Sequence, residues 1–268
     1  MVVSTISLEG KVALVTGGSR GIGRAAALAF ADAGATVVVA SRKLPDLEAV
    51  TSEITSKGGK AVAIAAHVGK KEEIQNLVDM TIAQFGKIDI LFNNAGTNPY
   101  YGPLLDAEDW AWDTTMNVNL KGPFQLAQLV ARVMKDQGNG GSIIQTGSVA
   151  SLRPGELNIY CVSKAALMML TQVMAKEWGQ YGIRVNTIAP GVIKTRLSEA
   201  LWKNPETGET AKQNTPLLRL GEPEEVGDVV LFLASDLSRY VTGEIIAIDG
   251  GQLLGPPAWL GGKVSGKE

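Results

Sequence analysis

Lys11-Val-Ala-Leu-Val15-Thr16-Gly17-Gly18-Ser19-Arg20-Gly21-Ile22-Gly23 is the stretch that decides the fold. An apolar run stops at Thr16, glycines crowd the next seven positions, and a helical pattern follows at once. Strand, tight turn and helix N-terminus in succession are the context that gives a glycine motif meaning. Glycines let the backbone approach a pyrophosphate, and a helix start offers free N–H groups and a positive dipole end. The spacing is Gly-x-x-x-Gly-x-Gly, not the Gly-x-Gly-x-x-Gly of the general dinucleotide fingerprint. An ordinary βα turn could carry these glycines too, but their place after the first strand favours a dinucleotide site.

Outward from this turn, short β-branched runs alternate with amphipathic stretches. Strands are expected at Val12–Thr16, Thr36–Ser41, Ala61–His67, Ile88–Phe92, Ser142–Thr146, Arg184–Ile188 and Glu244–Ile248. Helices are expected at Gly21–Ala33, Leu44–Lys57, Lys71–Phe85, Ala107–Gln137, Ile159–Tyr181 and Glu224–Ala234. Gly34, Gly58, Gly86 and Gly182 stand just past helix ends, where a left-handed cap is wanted. Apolar strands alternating with helices indicate a parallel sheet covered on both faces. The fold class is therefore α/β: a single-domain, Rossmann-type doubly wound parallel sheet of about seven strands. The alternation runs to about residue 250, and residues 1–252 read as one dinucleotide-binding catalytic domain. Gly191 to Thr215 breaks the pattern with Pro205, Gly208 and an apolar patch at Leu197, Leu201 and Trp202. An insertion of that length suggests a substrate lid near 192–215. Residues 253–268, rich in glycine and proline and carrying Trp259, read as a tail, either a subunit contact or partly disordered.

Composition narrows the function. The chain has 268 residues, 45% of them hydrophobic, enough for a substantial core. A net charge of −2 gives no basic footprint for nucleic acid. The single cysteine, Cys161, allows no intrachain disulfide and fits a reducing compartment. Met1 to Lys11 reads as neither signal peptide nor membrane anchor, and the longest apolar runs are only strand-length. The expectation is a cytoplasmic protein that engages no membrane and no nucleic acid. One histidine, His67, cannot build a metal site or a hydrolase triad with a second.

The end of the second strand reports which dinucleotide. An NAD-specific turn wants an acid there to hold the ribose 2′-hydroxyl. Here stand Ser41-Arg42-Lys43, with no acid until Asp46. Arg42 can pair with a 2′-phosphate, and Arg20 is a second candidate cation. The missing acid is the stronger half of this reading, since Arg42 and Lys43 are also ordinary surface charges. NADP(H) is the expected cofactor.

Tyr160 and Lys164 are four residues apart at the start of a helical pattern, which puts both on one face. A phenol ionises near pH ~10. A neighbouring ammonium draws that value down. The pair reads as a proton-transfer device. By itself Tyr-x-x-x-Lys is common on amphipathic helices, so its meaning depends on the rest of the chain.

Taken together, these residues resemble the short-chain dehydrogenase/reductase family across residues 8 to 252. The motifs are Thr16-x-x-x-x-Gly-Ile-Gly23, Asn93-Asn94-Ala95-Gly96, Asn119, Ser148, Tyr160-x-x-x-Lys164 and Pro190-Gly191. Finer features are similar to the NADPH-dependent carbonyl reductases of that family, in particular the tetrameric type called dehydrogenase/reductase member 4. These are Ser41-Arg42-Lys43, His67-Val68-Gly69-Lys70, Asn98-Pro99, Pro190 to Thr195 and Leu201-Trp202. The 3-oxoacyl thioester reductases and bacterial sugar dehydrogenases share most of the coarse motifs.

The resemblance implies roles. Gly17, Ser19, Arg20, Gly21, Ile22 and Gly23 would line the cofactor phosphates, with Ser41 and Arg42 at the adenosine end. The backbone of Val68 would pass the adenine, and Asn94, Ala95 and Gly96 the adenosine ribose. Ile193 and Thr195, after Pro190 and Gly191, would touch the nicotinamide carboxamide. Tyr160 would be the general acid in carbonyl reduction and the base in alcohol oxidation. Lys164 would bind the nicotinamide ribose and lower the Tyr160 pKa. Ser148 would hydrogen-bond the substrate oxygen, and Asn119 would hold a water linking Lys164 to solvent. A homotetramer, or the smaller dimer, is implied as well.

Three departures stand out. Ser148 to Tyr160 spans twelve residues, one fewer than the family's usual spacing. Thr146 is a weak competitor for the serine role and Ser151 a weaker one. His67 stands where the family usually has Asp. Asn117 lies two residues from Asn119 and reads as structural. Of the remaining large side chains, Met168, Met169, Met174 and Trp178 read as core or interface filler. Trp110 and Trp112 open a helix that pairs with a neighbouring subunit in this family. Tyr100, Tyr101 and Trp202 lie beyond strand C-termini, where such sheets bind ligands. With Leu152, Leu157, Leu197 and Leu201 they suggest a mostly apolar substrate pocket.

The leading expectation is an NADP(H)-dependent oxidoreductase acting on a small carbonyl or secondary alcohol. A 3-oxoacyl thioester reductase or a glucose-type sugar dehydrogenase is the alternative within the family. A dinucleotide-binding regulator without catalysis is the alternative outside it, and it should lack Tyr160, Lys164 or Ser148; all three remain.

Overall fold

A computed structural model describes residues 6–153 and 157–257. Seven parallel strands form one sheet in the order β3-β2-β1-β4-β5-β6-β7. These are β1 Val12–Thr16, β2 Thr36–Ser41, β3 Lys60–Ala65, β4 Ile90–Asn93, β5 Gly141–Thr146, β6 Ile183–Pro190 and β7 Ile245–Ile248. The central strands are buried on both faces, so they carry continuous apolar runs instead of alternation: every residue of β1 is buried.

Helices cover both faces. On one side α1 (Gly21–Asp32), α2 (Leu44–Ser56) and α9 (Pro223–Ala234) pack around Phe30, Phe92 and Val226. On the other, α3 (Lys71–Phe85), α5 (Gly122–Gln137) and α6 (Asn158–Trp178) pack around Leu91, Leu126 and Ile143. β1 pairs β2 on one edge and β4 on the other. The order in which strands are added reverses between β1 and β4, and the crevice outside such a switch point is where open α/β sheets bind ligands.

Most expected elements lie within a few residues of their predicted bounds, and α3 matches at both ends. Gly34, Gly58, Gly86 and Gly182 all take positive φ, as their positions past helix ends require. One expectation is corrected: Ala107–Gln137 is not a single helix. It is α4 (Asp109–Met116), a π-helical turn at Asn117–Lys121, and α5. In a continuous α-helix the Asn119 carbonyl would take its bond from residue 123, and Pro123 has no N–H to give. The ladder slips, and the Gly122 N–H reaches back to the Asn117 carbonyl.

The 191–215 insertion is also more ordered than a loop. It contains α7 (Glu199–Trp202) and α8 (Pro205–Gln213), the latter capped by the Asn204 side chain. Most of the tail expectation, including Trp259, falls on residues 258–268, outside the described residues. Met1 to Thr5 and residues 154–156, in the stretch between Ser148 and Tyr160, lie outside them as well. Among the described residues no helix is long and apolar enough to cross a membrane.

Candidate active site

The site lies where β1, β4, β5 and β6 end. The glycine turn and the end of β4 are sewn together there. Thr16 Oγ1 accepts the Asn94 and Ala95 N–H groups at 3.1 and 3.2 Å. Asn94 Nδ2 donates in return to the Thr16 and Gly17 carbonyls. Thr16 has no role in the sequence-level reading. A buried hydroxyl at the last position of the first strand is the signal that could have found it. The same close approach explains two glycines: a Cβ at Gly17 would lie 2.8 Å from Asn94 Nδ2, and one at Gly23 would lie 2.3 Å from the Gly17 oxygen. Helix α1 then starts with Arg20 as N-cap and no side chain satisfying its first turn. Ser19 is half-buried and Arg20 exposed; Ile22 lies in the cleft.

At the adenosine side, Ser41 closes β2 half-buried and Arg42 follows exposed. Val68 is buried, and its carbonyl packs so tightly on the π turn that a Cβ at Gly122 would sit 2.0 Å from it. His67 serves its own turn: its Nδ1 accepts the Gly69 N–H at 2.9 Å, and its N–H donates to Glu73. Asn117 Nδ2 donates to the Gly69 carbonyl at 2.8 Å, which ties this turn to the π-helical segment. Both residues are thus engaged structurally.

Ser148, Tyr160 and Lys164 line one cleft with Asn94, Gly96 and Thr195. Ser148 leaves the end of β5, its Oγ accepting the Ala150 N–H at 3.1 Å, and it stands close enough to Tyr160 to favour the charged phenolate. Ser151 only donates to the Ser148 carbonyl, and the Thr146 hydroxyl is buried without a partner among the described residues. Ser148 is therefore the hydroxyl that meets the phenol, despite the shortened spacing. Tyr160 and Lys164 are both buried, one turn apart on α6. Lys164 Nζ donates to the Thr146 carbonyl at 2.6 Å and lies 5.8 Å from the Tyr160 ring centre.

Asn119 does not stand free. Its Oδ1 accepts the Thr97 N–H at 2.8 Å, and its Nδ2 donates to the Thr97 carbonyl and to Ser163 Oγ. Ser163 Oγ donates onward to the Tyr160 carbonyl at 2.8 Å. Ser163 is a second residue the sequence reading missed. It sits three residues after Tyr160, on the same helical face, a spacing that could have marked it.

The electrostatics correct one expectation. Burial outweighs the lowering expected from Lys164. It pushes Tyr160 up to about 12, and the Ser148 hydroxyl offsets only part of this. Burial likewise draws Lys164 down to about 8. A buried site penalises charge on both groups, and the ammonium, 5.8 Å from the ring centre, spends a hydrogen bond on the Thr146 carbonyl. Tyr160 is held as a neutral proton donor.

Pro190 closes β6 buried, Ile193 beyond it is buried too, and the Ile193 carbonyl accepts from Ser198 Oγ and the Thr195 N–H. Thr195 lies against the glycine turn, 3.2 Å from where a Gly21 Cβ would be. Of the aromatic candidates, Tyr101 lines the cleft with Asn98, Leu157, Leu197 and Leu201. Tyr100 is instead spent on the Pro103 carbonyl, and Trp202 Nε1 donates to the Thr195 carbonyl at 3.1 Å. Leu152 is exposed and stands apart from the cleft lining.

A doubly wound parallel sheet with a glycine turn at its switch point and a buried Ser–Tyr–Lys–Asn set defines a nucleotide-dependent class of enzyme. The comparisons fix the class. The family model described as Enoyl-(Acyl carrier protein) reductase matches residues 17–252. The human protein Dehydrogenase/reductase SDR family member 4 is 40% identical over 245 residues, covering 91% of this chain and 88% of that one. The 3-oxoacyl-(acyl-carrier-protein) reductase FabG of Thermotoga maritima is 43% identical over 251 residues, covering 92% and 99%. Among solved structures, a gluconate 5-dehydrogenase from Burkholderia cenocepacia in complex with NADP and tartrate superposes with a TM-score of 0.88. It is 36% identical and the match covers 92% of this chain and 97% of that one. The chain belongs to the short-chain dehydrogenase/reductase family of oxidoreductases, whose members use a nicotinamide dinucleotide.

The residues present fit such a group. The backbone cradle at Gly17 and Gly23 excludes any Cβ, and the uncapped start of α1 leaves N–H groups for phosphate oxygens. The cleft from Ile22 to Thr195 continues without interruption to Tyr160.

Proposed function

We propose that this protein is an NADP(H)-dependent reductase of small apolar carbonyl compounds, able to run in reverse on secondary alcohols. The observation that carries this reading is the convergence of Ser148, Tyr160 and Lys164 at the end of a cleft whose other wall is the loop after β6. Gly17, Ser19, Arg20, Gly21, Ile22 and Gly23 would hold the pyrophosphate. Ser41 and Arg42 would take the 2′-phosphate, and Val68, Asn94, Ala95 and Gly96 would flank the adenosine. Pro190, Gly191, Ile193 and Thr195 would seat the nicotinamide, which supplies or accepts hydride when bound.

The chain's own task is the proton. Ser148 and Tyr160 donate hydrogen bonds to one carbonyl oxygen and stabilise the negative charge that grows there. Tyr160 then releases its proton to that oxygen, and a neutral phenol is suited to this direction. Lys164, anchored on the Thr146 carbonyl, holds the nicotinamide ribose and returns a proton to Tyr160. Asn119 keeps the strand end beside Lys164 in place through Thr97. The apolar wall of Tyr101, Leu157, Leu197 and Leu201 favours an uncharged ketone. Residues 192–215 act as the lid over it. Half-exposed Trp110 and Trp112 on α4, with Val162, Met169 and Val173 on α6, provide apolar faces for a homotetramer. A lone cysteine fits a cytoplasmic setting.

The identity to the Thermotoga enzyme keeps a 3-oxoacyl thioester substrate as the second reading. Turnover of small ketones, acetoacetyl thioesters and sugars, with NADPH and NADH in both directions, separates them. Ketone reduction with NADPH is expected to be fastest; a preference for thioester or sugar overturns the substrate, and a preference for NADH overturns the cofactor.

A further inference from the structure

Asn158 opens α6 with φ +42, in the left-handed region that residues other than glycine seldom occupy. Asparagine tolerates that conformation best among them, because its short polar side chain bonds locally. Here the side chain bonds far away in sequence. Asn158 Nδ2 donates to the Gly102 carbonyl at 2.5 Å, across 56 residues. A sparsely populated backbone held by a specific long-range bond points to a constraint beyond helix formation.

The bond's two ends belong to opposite walls of the substrate cleft. Gly102 ends the loop that follows β4, and Asn98 and Tyr101 on that loop line the cleft. Asn158 is flanked by Leu157, which lines the facing wall, and precedes Tyr160 by two residues. The loop is held at its near end by the Asn119 pair of bonds to Thr97. It is held at its far end by Asn158. Between these two asparagines lie the loop's pocket residues. The Tyr100 hydroxyl, bonded to Pro103, stiffens the loop's own turn but does not reach α6.

We propose that Asn158 is a positioning residue that sets the aperture of the substrate cleft by clamping the 97–103 loop to the head of the catalytic helix. The clamp fixes how far Tyr101 and Asn98 stand from Leu157 and Tyr160. It thereby selects which carbonyl substituents fit, while the reacting groups themselves stay on α6 and β5. This rests on the carbonyl-reductase reading for its substrate but not for its geometry.

The test uses the full-length protein and three variants. Asn158→Gly keeps the left-handed backbone and removes the clamp. Asn158→Asp keeps size and shape and replaces the donor by an oxygen facing a carbonyl. Asn158→Ala loses both features and reports the backbone's share. With butanone and acetophenone as probes, Asn158→Gly and Asn158→Asp are expected to raise KM roughly five- to tenfold, about one hydrogen bond's worth. They should change the ratio of the two KM values, lower kcat less than about twofold, and leave the NADPH Kd unaltered. Backbone amide exchange in residues 97–103 should quicken in both variants.

Equal losses in kcat for both ketones with unchanged KM would overturn the clamp, since a damaged helix start alone does that. So would unaltered exchange in the loop. If the wild type reduces no carbonyl at all, the function fails separately, and loop exchange in Asn158→Gly still decides the clamp.

Discussion

Lys164 Nζ donates to the Thr146 main-chain carbonyl at 2.6 Å, so the end of β5 fixes where the buried ammonium sits. Thr146 contributes no side-chain bond to this; its hydroxyl has no partner among the described residues. The strand terminus thus sets the position of Lys164 relative to Tyr160, beyond what their helical spacing alone would give.

That burial has a measurable consequence. The Lys164 pKa falls from 10.5 to about 8. Between these values the unfolded chain binds a proton that the folded chain has released, so stability contributed by this group rises with pH there. It is fully present above 10.5 and lost as pH falls through about 8. Lys164→Met carries no such proton. Urea unfolding at about pH 7, 9 and 10.5 should therefore show the wild type gaining on Lys164→Met as pH rises. A difference that stays constant across this window would mean the ammonium is not buried as described. Turnover by Lys164→Met should fall by about 100-fold or more.

Tyr160 makes the opposite prediction for the two directions of reaction. Reduction uses the neutral phenol, and with its pKa near about 12 the reduction rate should be flat across neutral pH. Oxidation uses the phenolate and should climb roughly tenfold per pH unit below that value. Tyr160→Phe should lower kcat by about 100- to 10,000-fold, the usual worth of a general acid. Cofactor binding, followed by NADPH fluorescence, should stay within about twofold of wild type. Full activity in the Phe variant would remove Tyr160 from the chemistry.

The cofactor choice rests on Arg42, exposed just beyond β2. Losing a charge-assisted bond to a phosphate costs about 1.5–3 kcal/mol, or roughly 10- to 100-fold in affinity. Arg42→Ala should lose that much for NADPH and almost nothing for NADH. The ratio of the two Kd values, measured by titration calorimetry, checks it. Equal losses for both cofactors would assign Arg42 to folding instead of phosphate recognition.

The sheet was legible because apolar strands and amphipathic helices carry different periods, and β1, β2 and α3 fall where those periods predict. The catalytic set was legible as family motifs, and Ser148, Tyr160 and Lys164 do meet in one cleft. What escaped depends on contacts between segments far apart in sequence. Periodicity across Ala107–Gln137 is helical throughout, and only the missing N–H of Pro123 and the bonds of Asn119 and Asn117 reveal the π turn. Thr16 and Ser163 are small hydroxyls whose partners, Asn94 and Asn119, come from other elements. The direction of the Tyr160 shift follows from depth of burial, which spacing does not report; spacing shows only the nearness of a charge.

Gly23→Ala sets two effects against each other. Alanine favours a helix interior over glycine by about 1 kcal/mol, and Gly23 lies in the first turn of α1. On propensity alone the variant would be more stable. Its Cβ, however, would lie 2.3 Å from the Gly17 carbonyl oxygen and 2.5 Å from Asn94 Nδ2. Neither neighbour can yield easily. The Gly17 carbonyl is main chain in a turn at φ +64, and Asn94 Nδ2 is bonded to both the Thr16 and Gly17 carbonyls. Forcing a methyl into packed backbone costs about 1–3 kcal/mol, which outweighs the propensity gain. Gly23→Ala should therefore melt below wild type and bind NADPH at least about tenfold more weakly, because α1 is pushed off the cradle. Gly58→Ala is the control: its φ is +85 with nothing within 4 Å of the added carbon, so it should lose some stability and no cofactor affinity. Differential scanning calorimetry with NADPH titration distinguishes the two. A Gly23→Ala protein that melts higher and binds normally would show that the turn and α1 are not in contact.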